Sequence, residues 1–275
     1  MFLLFAGVCF AQDAQKWIEP NDSRLSGTEV RAMLEKVCPG HANASACEVC
    51  PEGADFTEGK WEVMAIFVGH FRSPASEDAL ISASGCESHA SGFGGSALLT
   101  RDHASWAFVR YVSSMIAWDC RKLAGSDGRD RLVCGNADAH QGHASSWLYL
   151  LDPGLVSEKG DPTDPHYYDD HGVGFFSAED TMDAAENLRI SGIIDQVTFT
   201  NLAIPSNMHI DVYARMGKAT IPDSVIAQED PAVGLAVKVA TVPRRFGFTF
   251  DGTKVIPDRN NPSTTAPVTS YSLAK

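Results

Sequence analysis

A segment rich in aspartate and histidine, between positions 161 and 171, carries the residue types best suited to bind a metal ion. Carboxylate oxygens are the ligands that calcium prefers, and imidazole combined with carboxylate suits transition metals. The candidate ligands are Asp161, Asp164, His166, Asp169, Asp170 and His171. We expect a calcium or transition-metal site here or, because the spacing fits no named metal motif, a solvated acidic insertion over residues 158–186.

Sequence motifs for nucleophilic catalysis and phosphate binding are missing. The chain has no G-x-S-x-G, no H-E-x-x-H, no P-loop and no G-x-G-x-x-G that opens a helix. A triad assembled from distant segments stays open, because such triads are defined by geometry. Four loop histidines could converge on one rim or simply be exposed: His89, His103, His140 and His143. Four tryptophans could pack in the core or form a carbohydrate-stacking platform: Trp61, Trp106, Trp118 and Trp147.

Six cysteines beyond the N-terminal segment predict three disulfides in an oxidising compartment. They are Cys38, Cys47, Cys50, Cys86, Cys120 and Cys134. One pair follows from geometry, since a hairpin centred on Asp127 places Cys120 directly opposite Cys134, within disulfide range. The connectivity of the other four stays open. A zinc site formed by the first three cysteines and His41 is the alternative for that cluster.

The N-terminal part of the chain combines a leader-like segment with one helix. Residues 1–11 are apolar and end at a small residue, which is typical of a signal peptide, with a buried strand as the alternative. Within residues 12–60, Ser26 and Glu29 form a capping box ahead of apolar residues at helical spacing. Pro39 and Gly40 end that helix. We expect a helix that packs on a sheet, followed by a cysteine-rich segment.

Residues 61–257 have the texture of an antiparallel sheet, with short β-branched and aromatic runs separated by Gly, Asp and Ser. A shift of 52 residues aligns Asp78 with Asp130, Leu80 with Leu132, Ile81 with Val133, Leu98 with Leu150 and Leu99 with Leu151. The sequence therefore predicts a mainly β fold of antiparallel β-meander repeats, propeller-like or an open sheet, with one N-terminal helix. Residues 258–275 lack apolar periodicity and are expected to form a flexible tail.

Residues 125–136, GSDGRDRLVCGN, resemble the FG-GAP or VCBS repeats of β-propellers, in which an aspartate-rich turn opens the hairpin of each blade. The matching positions are Asp127, Gly128, Leu132 and Val133. The resemblance implies four-stranded blades and a turn that holds calcium. This chain departs from the pattern at Leu123 and Gly125, where acidic ligands would stand, and at Arg131, which replaces the closing aspartate. These departures leave calcium under-supplied with oxygen ligands.

Charge and composition narrow the function classes. The 275 residues carry a formal net charge of −13, so a phosphate backbone would repel the chain. No apolar run is long enough to span a bilayer. We expect a secreted or periplasmic, non-catalytic β-repeat module that binds an unknown macromolecular or small ligand, or that has a structural role. The alternative is an exported metal-dependent hydrolase that uses residues 161–171, with calcium as a structural staple as an intermediate case.

Overall fold

The structure is a computed structural model. It describes residues 18, 25–87, 94–117, 119–140, 143–155, 172–183, 188–202, 204, 207–221 and 237–262. The leader expected at 1–11 lies outside these residues. Within them, thirteen strands and one helix follow one another along the chain.

The first sheet has five antiparallel strands in the order β1-β2-β3-β4-β5, so each strand pairs with its neighbour in sequence. The strands are β1 (Ala46–Cys47), β2 (Trp61–Gly69), β3 (Asp78–Ser84), β4 (Gly94–Asp102) and β5 (Ser105–Ser113). A single helix, α1 (Gly27–Val37), packs on this sheet through Met33, Leu34 and Val37. The hydroxyl of Ser26 caps it by accepting from the Glu29 amide at 3.2 Å, which confirms the predicted capping residue.

The second sheet has eight strands, also in sequence order, and curls into a half-barrel. The strands are β6 (Asp119–Ala124), β7 (Asp130–His140), β8 (His143–Leu151), β9 (Val173–Asp183), β10 (Leu188–Thr200), β11 (Met208–Thr220), β12 (Val242–Phe250) and β13 (Val255–Pro257). The mainly β fold with antiparallel sheets and one helix is thereby confirmed. Of the two architectures expected, the described strands form two sheets rather than four-stranded blades, because pairing continues without a break from β6 to β13.

Strand alternation divides the core into three apolar layers. In β3, Leu80 packs between the two sheets while Ile81 faces the helix. In β8, Tyr149 packs between the sheets while Leu150 faces the concave side of the half-barrel. Successive strand residues point to opposite faces, so each central strand serves two layers. The concave layer also contains Ile18, which is 1% exposed.

The proposed 52-residue repeat holds for one strand and slips by one residue in the next. Leu80 and Leu132 both pack between the sheets, at matching places in β3 and β7. However, Leu80 pairs with Leu98, whereas Leu132 pairs with Leu151. Leu98 therefore corresponds to Leu151 and not to Leu150. A slip of one residue inverts the face on which a side chain lies.

Two segments expected to be irregular contain ordered structure. Residues 173–183, inside the expected acidic insertion, form β9 of the half-barrel, with Phe176 and Ala178 in its core. At the start of the expected tail, the side chain of Asn261 bonds to both the amide and the carbonyl of Gly247, each at 2.7 Å. The chain therefore stays attached to β12 as far as Asn261.

Two adjacent turns of the half-barrel meet through Gly252, which lies in the turn between β12 and β13. Its carbonyl accepts hydrogen bonds from the Ser126 amide at 3.2 Å and from Arg131 at 3.1 Å. Ser126 lies in the turn between β6 and β7, and Arg131 follows that turn in β7. The first and last strands of the half-barrel are therefore held together at one end.

Candidate functional site

The predicted metal ligands at 161–171 lie outside the residues that the structure describes, so the metal site and the hydrolase built on it stay predictions. Among the described residues, no group of three or more His, Cys, Asp or Glu is arranged to hold a metal ion. His89 and Trp118 also lie outside them. His103 is exposed in the turn between β4 and β5, and His140 pairs with His143 at the end of the β7–β8 hairpin.

The three tryptophans that the structure describes pack with the core, which is the first of the two alternatives expected for them. Trp61 and Trp106 are buried, and Trp147 packs against the layer between the sheets. None of these three forms an exposed stacking platform.

All six candidate cysteines lie in disulfides. The predicted pair, Cys120 with Cys134, joins directly opposed residues of β6 and β7. A second disulfide, between Cys38 and Cys47, ties the end of α1 to β1. The third, between Cys50 and Cys86, ties the segment after β1 to the end of β3. The zinc alternative is wrong, because the sulfurs it needs are bonded to other sulfurs.

Arginine side chains occupy the turn between β6 and β7, whose sequence resembles the turn of a calcium-binding repeat. The carboxylate of Asp127 accepts from Arg131 through both oxygens at 2.9 Å and from Arg129 at 3.0 Å. Hydrogen bonds from Arg131 hold the pKa of Asp127 well below its usual range. Arg129 and Arg131 also reach Asp152, and Arg129 contacts the carbonyl of Phe71 in the connection between β2 and β3 of the five-stranded sheet. The negative charge of Asp127, which would attract calcium, is already balanced by the two arginines. The turn instead connects the two sheets.

A different cluster, centred on Glu87, has unusual electrostatics. Glu87 follows β3 and is 4% exposed. Its carboxyl accepts from the Tyr111 hydroxyl at 2.5 Å and from the Ser113 hydroxyl at 2.6 Å, both from β5. Asp55 lies close enough to act on Glu87 through its charge and through a side-chain hydrogen bond. We call Asp55, Trp61, Glu87, Tyr111 and Ser113 the Glu87 site.

Burial and the neighbouring acid change the titration of the site. Burial is the largest influence that raises the pKa of Glu87, and Asp55 raises it further, against the two hydroxyl donors. Burial and the contact with Glu87 also raise the pKa of Tyr111. The Glu87 carboxyl is therefore protonated more readily than that of an isolated glutamate.

Neighbouring segments of the chain pack closely around the Glu87 site. The disulfide at Cys86 and a hydrogen bond from the Phe56 amide to the Cys86 carbonyl, 3.1 Å long, hold the segment with Asp55 against Glu87. Gly95 leaves the room that Tyr111 needs, since a Cβ there would lie 2.1 Å from the phenol oxygen. The ring of Trp61 packs edge-on against Tyr111, with centroids 6.0 Å apart. The site is therefore preorganised by three strands and one disulfide.

The contrast with other buried acids singles out Glu87. Among the described residues, four acidic side chains are buried: Asp78, Glu87, Asp130 and Asp211. Asp78 pairs with Arg72, Asp130 with Lys122 and Asp211 with Arg245. Glu87 has no lysine, arginine or histidine partner within the described ranges. Burial of a carboxylate without a cation costs free energy. We therefore expect the Glu87 carboxyl to bind a proton or a positively charged ligand.

Sequence reasoning missed this site because its two acids are far apart and match no motif. Asp55 and Glu87 come together through the disulfide between Cys50 and Cys86, whose connectivity the sequence left open, and through the hydrogen bond from Phe56 to Cys86. The only local signal is a glutamate directly after a cysteine, which is too weak to identify a site.

Within the described ranges, no helix has both the length and the apolar character needed to cross a membrane. Searches of known proteins return nothing for this chain: no protein-family model, no curated protein and no solved structure matches it.

Proposed function

We propose that this protein is a secreted or periplasmic β module that binds a ligand without catalysing a reaction, and that the Glu87 site recognises a positively charged group of that ligand. The three disulfides are compatible with a compartment outside the cytoplasm and support the first part of the proposal. The net charge of −13 favours a cationic ligand over an anionic one.

The observation that carries the proposal is the buried carboxyl of Glu87, which has a second carboxyl beside it and no cation among the described residues. Elsewhere the fold balances its buried acids internally. Acids with perturbed pKa values and no internal partner are typical of functional sites. A cationic ligand group would complete the site in the way that arginine or lysine completes the others.

The hydroxyls of the site favour binding over catalysis. Ser113 donates to Glu87 and has no histidine partner among the described residues, so it lacks the base that activates a serine nucleophile. Tyr111 donates to the same carboxyl, and its raised pKa keeps it protonated at neutral pH. Both hydroxyls therefore hold Glu87 in place.

The proposal is tested by thermal unfolding at pH 7 in the presence of cations. The probes are calcium chloride, ethylammonium chloride and tetramethylammonium chloride, each compared with sodium chloride at equal ionic strength. At about ten times its Kd, a ligand adds roughly 1.4 kcal/mol to the free energy of unfolding. In a chain of this size we expect the Tm to rise by about 3 to 5 °C.

Glu87→Gln should abolish the rise in Tm. The matched control is Glu62→Gln, which removes an exposed acid paired with Lys60 at 2.6 Å and should leave the rise unchanged. The proposal is wrong if no cation exceeds sodium, or if Glu87→Gln responds as the wild-type protein does.

A further inference from the structure

The outer side of the half-barrel is covered only in part. Over β7 and β8 it packs against the five-stranded sheet through residues such as Leu132 and Tyr149. Over β10, β11 and β12, the outward-facing residues belong to none of the three apolar layers. Within the described residues, this part of the sheet is therefore not covered by another layer.

Three side chains at the centre of the uncovered part form an exposed surface. Val212 and Ala214 point into the concave core, so their neighbours in β11, Tyr213 and Arg215, point outwards. Arg245 in β12 pairs directly with Tyr213 and lies on the same face. Tyr213 is 38% exposed, and the side chains of Arg215 and Arg245 are 47% and 58% exposed. We call these three residues the Tyr213 face.

Each arginine of the Tyr213 face is held in place by an aspartate along one edge of its guanidinium. Arg215 contacts Asp195 through Nε at 2.9 Å and through Nη2 at 2.8 Å. Arg245 donates to Asp211 through Nε and Nη2, both at 2.9 Å. Among the described residues, neither Nη1 has a hydrogen-bond partner. Each guanidinium therefore keeps one edge, with N–H groups on Nη1 and Nη2, that matches the geometry of a carboxylate.

The charge of the chain is unevenly distributed, and the Tyr213 face lies in a basic part. The described residues between 188 and 262 contain eight arginines and lysines and four aspartates, hence a net charge of +4, whereas the whole chain carries −13. This part of the surface attracts an anionic group locally. A nucleic acid carries one charge for about every 1.7 Å, and the rest of the molecule repels such a charge density. An anion with few, separated charges suits the face better.

We propose that the Tyr213 face binds a carboxylated sugar residue of a glycan, such as a uronic acid. The C–H groups on one side of a sugar ring are attracted to the negative face of a tyrosine ring. The carboxylate of a uronic acid is bonded directly to the sugar ring, and opposed residues of an antiparallel pair have Cβ atoms about 4.5 to 5.5 Å apart. A sugar stacked on Tyr213 therefore brings its carboxylate to Arg245.

The second arginine extends the face to a further sugar unit. Arg215 lies two residues from Tyr213 along β11, which is about 6.8 Å. An acidic peptide side chain would engage the arginines but would leave the exposed ring of Tyr213 without a partner. The Glu87 site lies in the five-stranded sheet, so this inference and the proposed function are independent of each other.

The test is isothermal titration of the mature protein at pH 7 with four probes. Trigalacturonate carries the sugar rings and the carboxylates, its methyl ester keeps the rings without the charge, and tricarballylate has carboxylates without a ring. A single-stranded oligonucleotide of equal charge represents nucleic acid. We expect trigalacturonate to bind at least about tenfold more tightly than the other three, since hydrogen bonds to a charged group supply such a factor.

Two variants assign the binding to the Tyr213 face. Tyr213→Ala and Arg215→Gln should each weaken the binding of trigalacturonate by roughly tenfold. Both residues are exposed, and Asp195 is itself partly exposed, so we expect both variants to fold. The matched control is Arg31→Gln, which removes an exposed arginine of α1 and should leave the affinity unchanged.

Four outcomes would overturn the inference. The methyl ester may not bind as well as the acid, because the arginines would then have no role. Tricarballylate or the oligonucleotide must not bind as tightly as trigalacturonate, because charge alone would then explain binding. Wild-type affinity in both Tyr213→Ala and Arg215→Gln would place the sugar elsewhere. Absence of trigalacturonate binding would also overturn the inference, whatever the result with cations at the Glu87 site.

Discussion

Glu87 shows how a single side chain can tie the stability of the fold to pH. Burial and the neighbouring carboxyl of Asp55 raise its pKa above the ordinary value of 4.5, against the effect of two hydroxyl donors. Between the two pKa values, the folded protein binds more protons than the unfolded chain. By linkage, the free energy of unfolding then decreases as pH rises.

We predict that the stabilisation from Glu87 is complete below about pH 4.5 and is lost as pH rises through its folded pKa. The measurement is urea unfolding of the wild-type protein and Glu87→Gln at several pH values from 4 to 8. The difference between the two isolates this residue from acids such as Asp127, whose lowered pKa works in the opposite sense. A difference that is constant over this range would contradict the prediction.

At the scale of elements, two of the disulfides serve different purposes although both join parts of the β structure. Cys120 and Cys134 join one hairpin at directly opposed residues that are 14 positions apart in sequence. Cys50 and Cys86 span 36 residues and hold a segment against a strand end beside the Glu87 site. The longer span constrains the unfolded chain more.

We predict that Cys120→Ser with Cys134→Ser lowers the free energy of unfolding by about 3 kcal/mol, and that Cys50→Ser with Cys86→Ser lowers it by about 4 kcal/mol. Only the second double variant should also lose cation binding, because Asp55 is then no longer held against Glu87. Urea unfolding and the cation titration together check both statements. Equal loss of binding in the two double variants would show that binding follows general stability.

The elements that local patterns determine were predicted from the sequence, and those that need distant partners were not. The Cys120 disulfide follows from the position of the turn over residues 125–129 between two strand patterns, and α1 follows from its cap and apolar spacing. The sequence did not predict strand β9 because it lies within the acidic segment 158–186, although Phe176 and Ala178 alternate towards the core. The Glu87 site combines residues from β2, β5 and two connecting segments. No local sequence pattern indicates that these segments lie together.

For the molecule as a whole, contact between two turns maintains the curvature of the eight-stranded sheet. Gly252 has a φ of +97°, a region that favours glycine, and a Cβ there would lie 2.5 Å from the side chain of Ser126. Its carbonyl accepts two hydrogen bonds from the β6–β7 region. An alanine at this position has both the wrong conformation and no room.

We therefore predict that Gly252→Ala lowers the free energy of unfolding by about 2 kcal/mol or more. The matched control is Gly174→Ala in β9, where a Cβ meets no atom within 4 Å. Thermal unfolding of both variants measures the effect. If the two glycines tolerate alanine equally well, the contact between the turns does not stabilise the half-barrel.

The disulfides pair consecutive cysteines along the described chain: Cys38 with Cys47, Cys50 with Cys86, and Cys120 with Cys134. The strands likewise pair in the order in which they occur. A chain that crosses a membrane from its N-terminus presents each cysteine to the partner that arrives next, and each strand to the strand that has just emerged. For the six cysteines from Cys38 onward, oxidation in the order in which they occur along the chain gives the observed bonds without reshuffling of disulfides.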